Sequence, residues 1–177
     1  MSAGHGRRNV GRVTSSELLT DAFGRIRDVV HAAVEGLTED QLSYRPETSA
    51  NSIAWLVWHL TRIQDDHVAG VARTDQVWPE WADRFGLPFR LRDTGYGHDT
   101  AAVGKVLASA DLLLGYHDAT CARTVEYVSG VTDNDLGRIV DERWDPPVTL
   151  GVRLISVVSD DLQHAGQAAF VRGLLPR

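Results

Sequence analysis

The chain has 177 residues, 43% of them hydrophobic and 24% charged, with a formal net charge of -6 and a pI near 5.6. That length suits one domain with a sizeable core and no need of a disulfide or structural metal, and the acidic balance argues against a broad nucleic-acid or anionic-membrane surface. No run of about eighteen apolar residues offers a membrane span, the N-terminus lacks the apolar stretch of a secretory signal, and the single cysteine, Cys121, suits a reducing cytoplasm.

Residues 1–14 are polar and Gly-containing, with Arg7, Arg8 and Arg12, and are expected to form a solvated tail ahead of one domain over residues 15–177. Thr14, Ser15 and Ser16 each offer an N-cap for a first helix, whose apolar positions run from Leu18 to Val34 at helical spacing, with Gly36 ending it. The run LTEDQLSYRPETS reads as a turn-rich connection. Asn51 or Ser52 then caps a second helix with a broad stripe from Ile53 to Val71. Residues 73–100 form a long irregular link rich in Gly, Pro and aromatics, with one short helical turn expected near residues 80–84. Links of this length are uncommon in compact domains and often wall a site. A third helix is expected over residues 101–129, then a second irregular crossing with a short strand or turn. Thr149 caps a last helix that runs to about Leu174. The sum is an all-α four-helix bundle with a long crossover between its second and third helices.

One spacing points at chemistry. Asp160 and His164 stand four apart in the last helix, so their side chains lie one above the other on one face. With a His from another helix they make a set of two nitrogen donors and one oxygen donor, the pattern of a metal site that keeps a position open. His59 and His67 on the second helix compete for the third place. They are eight residues, or about 12 Å, apart along the axis, so one ion cannot take both. Periodicity puts His67 inside the apolar stripe and His59 at its edge, which slightly favours His67. His98 in TGYGHD either caps the third helix or lines a pocket. A thiolate–imidazole pair from Cys121 and His117 lacks an orienting third group. The neighbours Asp160 and Asp161 point about 100° apart and form no carboxylate dyad.

The segments LSYRPETSANSIAWLVWHLTRIQDDH, DTGYGHD and HAGQAAFVRG, in this order over residues 18–174, resemble the DinB-like superfamily and, within it, the actinobacterial DUF664 branch. The resemblance implies an up-down-down-up bundle with a three-ligand divalent-metal site, zinc or nickel, formed by His59, Asp160 and His164, and so sets His59 above His67. Many relatives carry Glu or His in place of Asp160 and a second His in place of Gln167. The resemblance also implies a transferase that conjugates electrophiles to a low-molecular-weight thiol, mycothiol as co-substrate, in detoxification. Trp55, Arg62, His67, Trp81, Arg84 and Tyr96 are the candidate substrate-binding residues. A cytoplasmic homodimer without nucleic-acid or membrane partners is expected. Two other readings compete: a non-enzymatic dimeric bundle whose metal is absent or structural, and a metal-dependent hydrolase.

Overall fold

The computed structural model describes residues 13–176; the tail residues 1–12, with His5, Arg7, Arg8 and Arg12, lie outside the described part, as does Arg177. Four long helices carry the fold: α1 (Ser15–Val34), α3 (Ile53–Ala72), α6 (Ala110–Ser129) and α7 (Leu150–Gly173). Three short ones, α2 (Glu39–Ser43), α4 (Ala82–Phe85) and α5 (Thr100–Val103), sit in the connections. A small antiparallel hairpin, β1 (Ile139–Asp141) with β2 (Val148–Thr149), pairs Ile139 with Thr149 ahead of α7.

Each long helix begins at a hydroxyl cap. Thr14 and Glu17 close a capping box on α1, and Ser52, Ser109 and Thr149 accept from backbone N–H groups at the starts of α3, α6 and α7. Two expectations need correction. The LTEDQLSYRPETS connection holds the helix α2, closed by a Thr38/Gln41 capping box. The third helix is not continuous over residues 101–129. Asp99, rather than His98, caps the single turn of α5, which stops at Gly104, and Ser109 starts α6 afresh.

Side-chain contacts fix the direction of every long helix. Ser15 Oγ donates to Asp133 just beyond α6, while Arg27 and His31 meet Asp118 near its middle, so α1 and α6 run antiparallel. Thr61 meets His117 and Gln64 meets Thr124, so α3 and α6 run parallel. His59 lies against His164 and His67 against Arg153, so α3 and α7 are antiparallel. Leu18 and Ala22 share a groove with Gly151 and Ile155, which makes α1 and α7 parallel. The topology is up-down-down-up, and the parallel α3–α6 pair is why the crossover must travel the length of the bundle. Phe23, Ile26, Val30, Leu56, Leu60, Leu113, Leu154 and Val157 fill the shared core. No described helix is long and apolar enough to cross a membrane.

Candidate metal centre

Helix α3 is buried nearly all round, polar residues included. Two causes act together: α6 and α7 pack against it, and the crossover covers a third side. Asp65 pins the crossover by accepting from the backbone N–H groups of Val77 and Trp78 and from the Tyr116 hydroxyl. Arg62 is 0% exposed. Its guanidinium donates to the carbonyls of Asp93 and Leu91, to Gln76 and to the Tyr116 oxygen, with Asp65 at 3.5 Å. Arg62 is therefore a buried strut of the crossover, with four of its five N–H donors already engaged there.

The crossover delivers residues 94–98 to the upper part of α3. Gly95 (φ +94°) and Gly97 (φ +76°) adopt left-handed backbone there. A Cβ on Gly95 would lie 2.8 Å from His59 Nδ1, so only glycine lets the turn come this close. The Thr94 carbonyl accepts a 2.6 Å hydrogen bond from His59 Nδ1. A carbonyl can only accept, so the His59 proton is on Nδ1 and its Nε2 lone pair is free. Burial is the main cause that holds His59 below the ordinary imidazole pKa. On α7, His164 Nδ1 bonds Gln167 Oε1 at 2.9 Å, which fixes the same tautomer and turns Nε2 toward Asp160 Oδ1 at 3.7 Å.

The three residues converge. Ligand atoms of His59, Asp160 and His164 all lie within 4.8 Å of one another, His59 buried and the other two half-buried. Two atoms each about 2.1 Å from one tetrahedral ion stand about 3.4 Å apart, so closure asks a movement on the order of an ångström. Further observations fit a cation: both imidazoles present unprotonated nitrogens, each braced by a carbonyl oxygen as metal-ligating histidines usually are. Asp160 Oδ2 is buried without a hydrogen-bond partner. Asp161 points elsewhere; it is completely buried, and burial pushes its carboxyl well above the usual range.

The other predicted residues divide. Trp55 lies flat on His59, ring centroids 4.6 Å apart and 15° from parallel, with its edge toward His164. Its indole N–H donates to His98 Nδ1 at 3.2 Å, and His98 in turn stacks on Trp58 and packs on Phe89, so His98 lines the site wall. Tyr96 is 90% exposed on the same turn. Trp81 packs on Gly115 and Tyr116 of α6, with Arg84 stacked 4.1 Å over its ring, so this pair braces the crossover against α6. His67 is not one of the three converging groups; it accepts from Arg153 at 3.3 Å. His117 and Cys121 make no activated pair, since burial drives the imidazole down to about 4 and the thiol up to about 11. Sequence reasoning misses the parts of Thr94 and Gly95, and Gln167, noted only as a departure from relatives, proves to be the acceptor that orients His164. A backbone carbonyl leaves no mark in a sequence, though the two glycines of DTGYGHD signalled an unusual turn.

The family model for mycothiol S-transferases matches residues 18–176. The chain belongs to that family. This agrees with the DinB-like resemblance carried by the WHL and HAG segments. No curated protein matches the chain. Among solved structures, the crystal structure of a conserved protein from Enterococcus faecalis is similar over 92% of this chain and 98% of that one, with a TM-score of 0.85 and 27% identity.

Proposed function

We propose that this mycothiol S-transferase family member conjugates electrophiles to mycothiol in a reaction that depends on a divalent metal, zinc or nickel, held by His59, Asp160 and His164. The reading rests on one observation: two imidazoles locked with Nε2 free meet a carboxylate with an unpartnered buried oxygen at a half-open site. When bound there, a divalent cation supplies the Lewis acidity that lowers the pKa of a thiol beside it, so that sulfur attacks as the thiolate near neutral pH. The protein does the rest. Thr94 and Gln167 fix the two imidazoles, and Trp55 shields the inner face of His59 from water. A carbon–sulfur bond forms, the bond from that carbon to its leaving group breaks, and the thiol proton passes to solvent. The chemistry is that of detoxification.

Metal-loaded protein is expected to consume mycothiol with a bromobimane electrophile, and chelation is expected to stop it. His164→Ala should lose bound metal by elemental analysis and lower turnover by roughly 100-fold or more, as loss of a ligand or its support does. Conjugation that survives both chelation and His164→Ala would sink the proposal. We also infer a homodimer in the cytoplasm. Its support is the exposed apolar row Val152, Ile155, Leu162 and Phe170 on α7, which falls within about 80° around the helix. Light scattering on Phe170→Glu tests it, with a monomer expected.

A further inference from the structure

The groove between α3 and α7 does not end at the three converging residues. Asp66 stands seven positions after His59, and Arg153 seven positions before Asp160. Seven residues are close to two turns, about 10 Å along the axis and back to the same side of a helix. Because α3 and α7 are antiparallel, both steps lead the same way along the groove. They arrive at a cleft of about 690 Å³ between the end of α3, strand β1 and Arg153. His67 lines this cleft and accepts from Arg153, so the cleft opens on the same α3–α7 seam as the metal group, about two turns farther along it.

The walls are polar and nearly balanced in charge. Four arginines (73, 138, 143 and 153) meet three carboxylates (66, 141 and 142). Much of that charge is already spent. Asp141 is clamped by Arg143 at 2.9 Å and Arg153 at 3.1 Å, and Arg138 donates to the Val71 carbonyl and the Tyr127 hydroxyl. What is left is a set of donors and acceptors side by side with little net charge. An anion there meets Asp66 and Glu142, a cation meets the guanidiniums, and an apolar body meets polar walls. A hydroxyl both donates and accepts, so an uncharged, hydroxyl-rich ligand satisfies both kinds of wall. The volume falls in the ordinary range for small-molecule sites.

We propose that this cleft seats the hydroxyl-rich sugar body of the thiol substrate while its sulfur reaches the His59–Asp160–His164 group; the assignment rests on the functional reading above. Gly70 provides the test. It lines the cleft, and a Cβ there meets nothing within 4 Å, so a large side chain at this helical position enters the cleft without pressing on the core. Gly70→Phe should raise KM for mycothiol at least about tenfold while leaving kcat at saturating thiol within about twofold, the signature of lost binding alone. Its metal content should match the unmodified protein, and Gly70→Ala should behave as the unmodified protein does. The cysteine-free glucosaminyl-inositol should compete with mycothiol in the unmodified protein and only weakly in Gly70→Phe. An unchanged KM in Gly70→Phe, or no competition by the sugar, overturns the assignment. If the metal-loaded protein conjugates no thiol at all, the functional reading fails by itself. The cleft is then decided by calorimetry with the same sugar on metal-free protein: binding lost in Gly70→Phe upholds it, and no binding ends it.

Discussion

Thr94 brings no side-chain chemistry to the candidate centre, yet its carbonyl decides which nitrogen of His59 faces the ligands. Gly95 makes that possible. Gly95→Ala forces a Cβ to 2.8 Å from His59 Nδ1 at a left-handed φ, so the imidazole must shift. Metal affinity is expected to fall by about 10- to 100-fold, the usual effect of disturbing a ligand's support, and titration of metal into the apo protein measures it. A second residue-scale expectation concerns His117, fully buried with Nδ1 on Thr61 and Nε2 unpartnered. Burial outweighs the attraction of Asp118 and holds its pKa at about 4 against the ordinary 6.5, with His31 and Arg27 pushing the same way. The folded state thus refuses a proton that the unfolded chain accepts. Its contribution is complete above pH 6.5 and is lost as pH falls toward 4, about 3 kcal/mol in all. Denaturant melts of His117→Leu between these pH values should show a shallower loss by about that amount.

Helices and links show where a sequence speaks and where it does not. The caps of α1, α3 and α7 were legible because a hydroxyl before an apolar period is a local signal. The break between α5 and α6 was not, because Val103, Val106 and Leu107 keep a helical period across a stretch where only Gly104 and Ser109 mark the interruption. The choice between His59 and His67 failed on periodicity for a different reason. The crossover buries a side of α3 that a free-standing bundle leaves to water, so a residue at the stripe's edge ends up inside. The four-residue spacing of Asp160 and His164 on one helix marked them as a possible pair, and the family resemblance, not the spacing, singled them out together with His59. The crossover's hold on α3 passes through Asp65. Asp65→Ala removes the acceptor for Val77, Trp78 and Tyr116 and leaves Arg62 buried without its carboxylate. The expected cost is about 3–5 kcal/mol in urea unfolding, with faster proteolytic cutting in residues 77–99.

At the scale of the whole molecule, the candidate site is built from parts distant in the chain. His59 lies on a descending helix and Asp160 and His164 on an ascending one, about a hundred residues later. An ion shared by them acts as a removable staple, closing a loop that takes in the crossover, α6 and the hairpin. Unlike a disulfide, which constrains the unfolded chain, the ion stabilises by binding only the folded state, where the two helices meet. Metal at a hundredfold excess over its Kd should add about 3 kcal/mol to the folded state. For a chain of this size that raises Tm by roughly 6–12 °C. Calorimetry with and without chelator should show this rise, and His164→Ala should abolish it. The cell's supply of divalent metal would thus set how tightly the two halves of the bundle are tied, as well as whether the centre can react.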